Sequence, residues 1–154
     1  MNWTYKGYEV GELPEEIRGF VYIIYYTNGQ MYIGSKVVRS ELTKPLGKRE
    51  LEARTDKRQS VNKKVITESK WKTYEGSTKL SEGLTINTKV ITHLCTDKRS
   101  MTYIEQRELF KVDAPVNPQY LNENIGGKFF DNCLDSVYTG SVNVQGGLFD
   151  GETD

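Results

Sequence analysis

GFVYIIYYTNGQMYIGS, residues 19–35, decides the reading of this chain: two runs of aromatic and β-branched residues flank Asn28 and Gly29. Strand-forming side chains on either side of a turn dipeptide specify a β-hairpin. Its turn has two possible forms, a two-residue Asn-Gly turn of type I′ or a three-residue Thr27-Asn28-Gly29 loop in which Gly29 takes the left-handed conformation of a bulge. The choice fixes which tyrosines meet. In the two-residue register Tyr22 faces Ser35 and lies on the opposite side of the sheet from Tyr32. In the three-residue register Tyr32 sits opposite Ile24, and Tyr22 is its diagonal neighbour on the same face, about 7 Å away.

Working outward, NTKVITHLC (87–95) alternates like a third strand, and MTYIEQRELFKV (101–112) reads as an amphipathic helix with Met101, Ile104, Glu105, Glu108, Leu109 and Val112 near one stripe. Pro115 and Pro118 stop that helix. From Lys36 to about Lys64 regular apolar periodicity is lost, so this stretch reads as a basic, irregular surface segment with a short helix within ELEARTDKRQ (50–59). Trp71, Tyr74 and Leu80 are anchors around a Gly-Ser turn. These elements predict an α/β (α+β) fold, a small three-stranded antiparallel sheet flanked by helices. The expected organisation is an N-terminal extension (1–18), one domain (19–131) and an acidic, flexible C-terminal tail (132–154).

The 154 residues carry 21 basic and 21 acidic side chains, so the net charge is zero. That average conceals a split: residues 36–72 hold twelve bases against five acids, whereas residues 131–154 hold five acids and no base. A basic block of this size is a footprint for a polyanion, or else a solvated charged face. Two cysteines and one histidine exclude a disulfide framework and a structural zinc cluster. No basic-then-apolar leader and no apolar run of membrane-spanning length is present, so a cytoplasmic location with reduced thiols is expected.

The triplets Phe20-Val21-Tyr22 and Tyr32-Ile33-Gly34, followed by a basic segment, a helical glutamate and a late asparagine, resemble the GIY-YIG nuclease superfamily. The resemblance is closest to the short GIY-YIG endonuclease-like proteins of T-even-type phages. It rests on YIG-x-K from Tyr32, Trp71-x-x-Tyr74-x-Gly76-Ser77, Tyr103-x-Glu105 and Asn122-Glu123-x-Ile125. It implies a phage or mobile-element, homing-endonuclease-like enzyme that hydrolyses DNA phosphodiesters with Mg2+ or Mn2+. By the same resemblance Glu105 holds the metal, Tyr22 is the general base, Tyr32 positions water or phosphate, and Asn122, whose spacing fits better than that of the alternative Asn124, completes the site. A phenol ordinarily ionises near pH 10, so Tyr22 would need neighbouring cations to lower its pKa. The place where the family carries a helical arginine falls on Leu42. Arg39 is therefore the first candidate for the phosphate-stabilising cation, with Lys36 beside it and Arg49 or Arg54 as alternates.

Plainer readings stand beside these. Tyr22 and Tyr32 suit any strand, Thr102-x-x-Glu105 is a capping box, and Asn122 is a turn former. A catalytically inactive DNA-binding module of the same fold is one alternative function, and a clamp- or phage-complex-associated interaction protein is another. The latter rests on Gln145, Leu148 and Phe149, which resemble the short peptides that dock on sliding clamps.

Overall fold

In the computed structural model, which describes residues 1–56, 58–144 and 147–150, the hairpin sits inside a larger sheet than the sequence suggests. In chain order the elements are β1 (Trp3–Tyr5), β2 (Tyr8–Glu9), β3 (Gly19–Tyr26), β4 (Met31–Val37), β5 (Arg39–Pro45), α1 (Lys48–Glu52) and β6 (Asn62–Glu68). They continue with β7 (Ile86–Cys95), α2 (Lys98–Lys111), β8 (Ser141–Val144) and β9 (Gly147–Asp150). The hairpin β3–β4 takes the three-residue register, with Tyr22 opposite Gly34 and Ile24 opposite Tyr32. Gly29 has φ of 90°, its N–H donates to Tyr26 O at 3.0 Å, and Tyr26 N–H donates to Gln30 O at 2.9 Å. Only glycine adopts that φ without strain, and the bulge that follows gives both tyrosines one face.

The main sheet has five strands in the order β2-β1-β7-β3-β4, not three. β4, β3 and β7 form the expected antiparallel core, and β1 adds to β7 in parallel. Residues 1–18 looked like an extension because β1 and β2 are too short to show periodicity. Tertiary contacts place them: Trp3 is 1% exposed, its Nε1–H donates to Trp71 O at 2.8 Å, and its ring meets Phe20 and Tyr22 edge-on at 4.9 and 5.0 Å. This aromatic core, with Ile24, Ile91 and Leu121, fills one face of the sheet. The other face packs Val21, Ile33 and Cys95 against Met101 and Leu109 of α2.

The stretch from Lys36 onward is not irregular. β5 and β6 pair over seven positions as a separate two-stranded ribbon, with α1 near its tip. Periodicity was invisible there because most side chains on both faces of the ribbon are exposed, so nothing selects apolar alternation. The helix expected within residues 50–59 forms earlier, at Lys48–Glu52. Beyond Asn132, β8 and β9 pair as a hairpin that sets Val142 opposite Phe149 and Asn143 opposite Leu148. Gln145 and the side chains of Leu148 and Phe149 lie outside the described residues.

Replacing Trp3 by alanine removes the centre of the aromatic core and is expected to cost about 3–5 kcal/mol in urea unfolding. A loss within the range of a surface substitution would place residues 1–18 outside the domain.

Candidate active site

Tyr22 leans from β3 across its neighbour β4, and Gly34 is what permits the crossing. A Cβ at Gly34 would collide with Tyr22 Oη, lie 2.6 Å from its Cζ and 3.1 Å from Tyr32 Cε1. The two phenol rings stand 6.3 Å apart on the same face. A third ring, Tyr74, meets Tyr22 edge-on at 6.1 Å, and the Lys36 ammonium sits 4.3 Å above the Tyr74 ring. Gly76, at φ of 95°, passes close enough that a Cβ would come within 3.8 Å of Tyr22 Oη. Ser77 then shares a 3.2 Å hydrogen bond with the Tyr32 hydroxyl. The Trp-x-x-Tyr-x-Gly-Ser segment thus wraps the tyrosine pair. Lys89 holds that segment from below: buried at 1% exposure, it donates to Tyr74 O at 2.8 Å and Lys72 O at 3.4 Å, and burial pushes its pKa down.

Glu105 arrives from the other side of the sheet. Helix α2 begins at Lys98, capped by Asp97, whose carboxylate accepts from Ser100 N–H at 2.7 Å. Thr102 and Glu105 are therefore inside the helix and form no capping box. The Glu105 carboxylate accepts a hydrogen bond from Ser35 Oγ, which points to the helix side of β4. At the outer edge of β4 the two sides meet in a pocket of about 570 Å³ lined by Tyr32, Ser77, Lys79, Glu105, Asn122 and Glu123, among others.

Asn122 lines this pocket, yet its amide works as a piece of backbone. Its Oδ1 accepts from Ile33 N–H at 3.0 Å and its Nδ2 donates to Ile33 O at 2.7 Å. One turn of the ladder earlier, Met31 N–H donates to Gln119 O and Leu121 N–H to Met31 O, both at 2.8 Å. The side chain extends this parallel pairing along the edge of β4 and brings residues 121–124 to the pocket.

Arg39 does not join the site. Its guanidinium donates to Leu13, Pro14 and Ile17 carbonyls at 2.9, 2.6 and 3.1 Å and pairs with Glu68 at 3.3 Å, which ties the loop before β3 to the ribbon. Lys36 comes closer, stacked on Tyr74. The cation on the pocket wall is Lys79, which the sequence reading passed over. It follows Thr78, whose hydroxyl accepts from Leu80 N–H and caps a 3-10 turn, and its ammonium has no acidic partner among the described residues. Lys79 carries no local signal, because only the wrapping of 71–81 over β4 brings it in, whereas Glu123 arrives with the pairing of residues 119–122 along the β4 edge.

The electrostatics of Tyr22 reverse expectation. Burial, then the Tyr74 and Tyr32 phenols and the Glu105 carboxylate, hold its pKa far above the tyrosine range. No cation of the basic block offsets this: most of the block folds into the ribbon, and Lys36 sits over the ring of Tyr74. Tyr32 is also raised, chiefly by burial, with its Ser77 hydrogen bond pulling the other way.

Comparison with protein-family models matches residues 3–125 to the family described as putative endonuclease segE, GIY-YIG domain. The chain belongs to the GIY-YIG nuclease superfamily. Comparisons with curated proteins and with solved structures give no match. The GIY-YIG match begins at Trp3, whose strand joins the sheet, and ends at Ile125, ahead of the β8–β9 hairpin.

Two outcomes are expected. Gly34→Ala forces Tyr22 off β4 and lowers stability by about 1–3 kcal/mol in urea unfolding. Because the native pKa of Tyr22 is raised, its contribution is complete below pH 10 and declines as pH rises above it, where only the unfolded chain ionises. Stability measured from pH 9 to 11 should therefore fall less steeply in Tyr22→Phe, by up to about 1.4 kcal/mol per pH unit.

Proposed function

We propose that this GIY-YIG protein is a divalent-metal-dependent DNA endonuclease that hydrolyses a phosphodiester at the outer edge of β4. The observation that carries the reading is the convergence of Glu105, Tyr32, Ser77 and Lys79 on one pocket from both sides of that strand. Among the described residues no group of three or more His, Cys, Asp or Glu gathers as a metal cluster. Two carboxylates, Glu105 and Glu123, line the pocket among hydroxyl oxygens, a donor set that fits Mg2+ or Mn2+, hard ions commonly held by one or two carboxylates with water and phosphate oxygens completing the shell. Such an ion, when bound, polarises a phosphoryl oxygen and acidifies water.

The chain's own residues then divide the work. Ser35 fixes the Glu105 carboxylate toward the pocket. Lys79 offsets the charge that develops on the phosphoryl oxygens, the task first expected of Arg39. Tyr32 orients water or phosphate through its hydroxyl. Tyr22, held protonated by burial, acts at neutral pH as a hydrogen-bond donor and as the keystone of the ring cluster rather than as the base. Asn122 holds the edge strand in register.

Two observations favour a second reading, a DNA-binding module without cleavage: the engagement of Arg39 away from the pocket and the burial of Tyr22. Supercoiled plasmid distinguishes the two. The nuclease reading expects nicking or linearisation with Mg2+ or Mn2+, none in EDTA, and none with Glu105→Ala. Lys79→Ala should lower kcat roughly 100-fold while Lys79→Arg retains most of it. Arg39→Ala should lower Tm but leave the turnover of the folded fraction unchanged. Retained DNA binding with no cleavage in either metal establishes the second reading.

A further inference from the structure

The β5–β6 ribbon is a costly structure to keep without a partner. Apart from Arg39, Val65 and Thr67, its paired residues are exposed, and a lone two-stranded ribbon is marginal in water. It also carries a repulsive pair: Lys44 lies directly opposite Lys63, and like charges in that position destabilise a sheet. Glu50 relieves Lys63 at 2.5 Å, but Lys44 has no acidic partner among the described residues. Neither have Lys48 and Arg49 on α1 or Arg58 beyond it, all of them exposed. On the paired strands the exposed apolar side chains are divided between the two faces: Leu42 pairs with Val65 on one, and Ile66 sits opposite Glu41 on the other.

The root of the ribbon is fixed to the site. Ser69 N–H donates to Val38 O at 2.8 Å and Ser69 Oγ to Val37 O at 2.6 Å, while Arg39 and Glu68 close the first pair. β4 enters the ribbon directly after Lys36, and the chain leaving it runs through Trp71 and Tyr74 to Ser77. Whatever the ribbon grips is thereby coupled to both walls of the tyrosine cluster.

Resting on the nuclease reading above, we infer that the β5–β6 ribbon is the duplex-gripping arm, lying in the major groove with Lys44, Lys48, Arg49 and Arg58 on flanking phosphates. Seven paired residues span about 23 Å. A two-stranded ribbon fits the major groove, about 12 Å wide, and is too broad for the minor groove at about 6 Å. Phosphate contacts from unpaired cations supply affinity that falls with salt. Side chains on the inserted face supply what sequence preference there is.

The test uses the full chain in EDTA with a 30-base-pair duplex, so that binding is read without cleavage. Lys44→Gln/Lys48→Gln/Arg49→Gln/Arg58→Gln is compared with wild type by fluorescence anisotropy from 50 to 200 mM salt, and folding is checked by Tm. The expected result is a Tm no lower than that of wild type, because Lys44→Gln removes the Lys44–Lys63 repulsion, with affinity at least tenfold weaker at low salt and a log–log salt slope smaller by about 2–4. The charge-preserving Lys44→Arg/Lys48→Arg variant should bind as wild type does, and wild type should protect guanine N7, in the major groove, from dimethyl sulfate. Equal affinity and slope for the glutamine variant overturn the inference and are the result expected of a protein-docking arm. Absent N7 protection, or loss of binding in the charge-preserving variant, also overturns it. If wild type itself binds no duplex, the nuclease reading falls together with the arm; if it binds and the glutamine variant matches it, the arm alone falls.

Discussion

The contact on which the site depends is a tyrosine ring lying over a glycine. Tyr22 can cross β4 only because Gly34 has no side chain, and it faces Gly34 only because Gly29 adopts a positive φ that sets the three-residue register. A shift of one residue would turn Tyr32 to the helix side and break the ring cluster. Hairpin register, close packing and site geometry are thus one constraint expressed at successive levels.

That constraint explains how groups from opposite faces of a sheet come to share a pocket. Tyr32 and Ser77 approach the outer edge of β4 from the aromatic face, and Glu105 approaches it from the helix side, oriented by Ser35. An edge strand exposes unpaired backbone groups, which in this chain are used and covered at once. Residues 119–121 pair with Met31, and the Asn122 amide satisfies Ile33 in place of a further strand residue. Where that cover ends, the pocket begins.

Charge is partitioned along similar lines. The buried Lys89 binds carbonyl groups and Arg39 is absorbed in tying loops together, so neither is available to a substrate. Among the described residues, cations without a salt-bridge partner remain on the ribbon, at its tip and at Lys79, as they do at Lys6, Lys70, Lys98, Arg99 and Lys128, where solvent, or a polyanion replacing it, can reach them. A net charge of zero therefore describes the chain but not the surfaces it presents.

The hairpin, the third strand, helix α2 and the membership of Tyr22, Tyr32 and Glu105 in a GIY-YIG pattern were legible in the sequence, because each rests on local periodicity, turn chemistry or motif spacing. The N-terminal strands were not, since Trp3 is placed by Phe20, Tyr22 and Trp71, residues distant along the chain. Nor was the ribbon, whose two wet faces leave no alternation to read. The roles of Arg39, Lys79 and Asn122 were decided by tertiary structure alone, because a charged or amide side chain takes its meaning from what folding brings within a hydrogen bond of it. Spacing determined which residues were candidates; burial and the edge of β4 decided which of them meet.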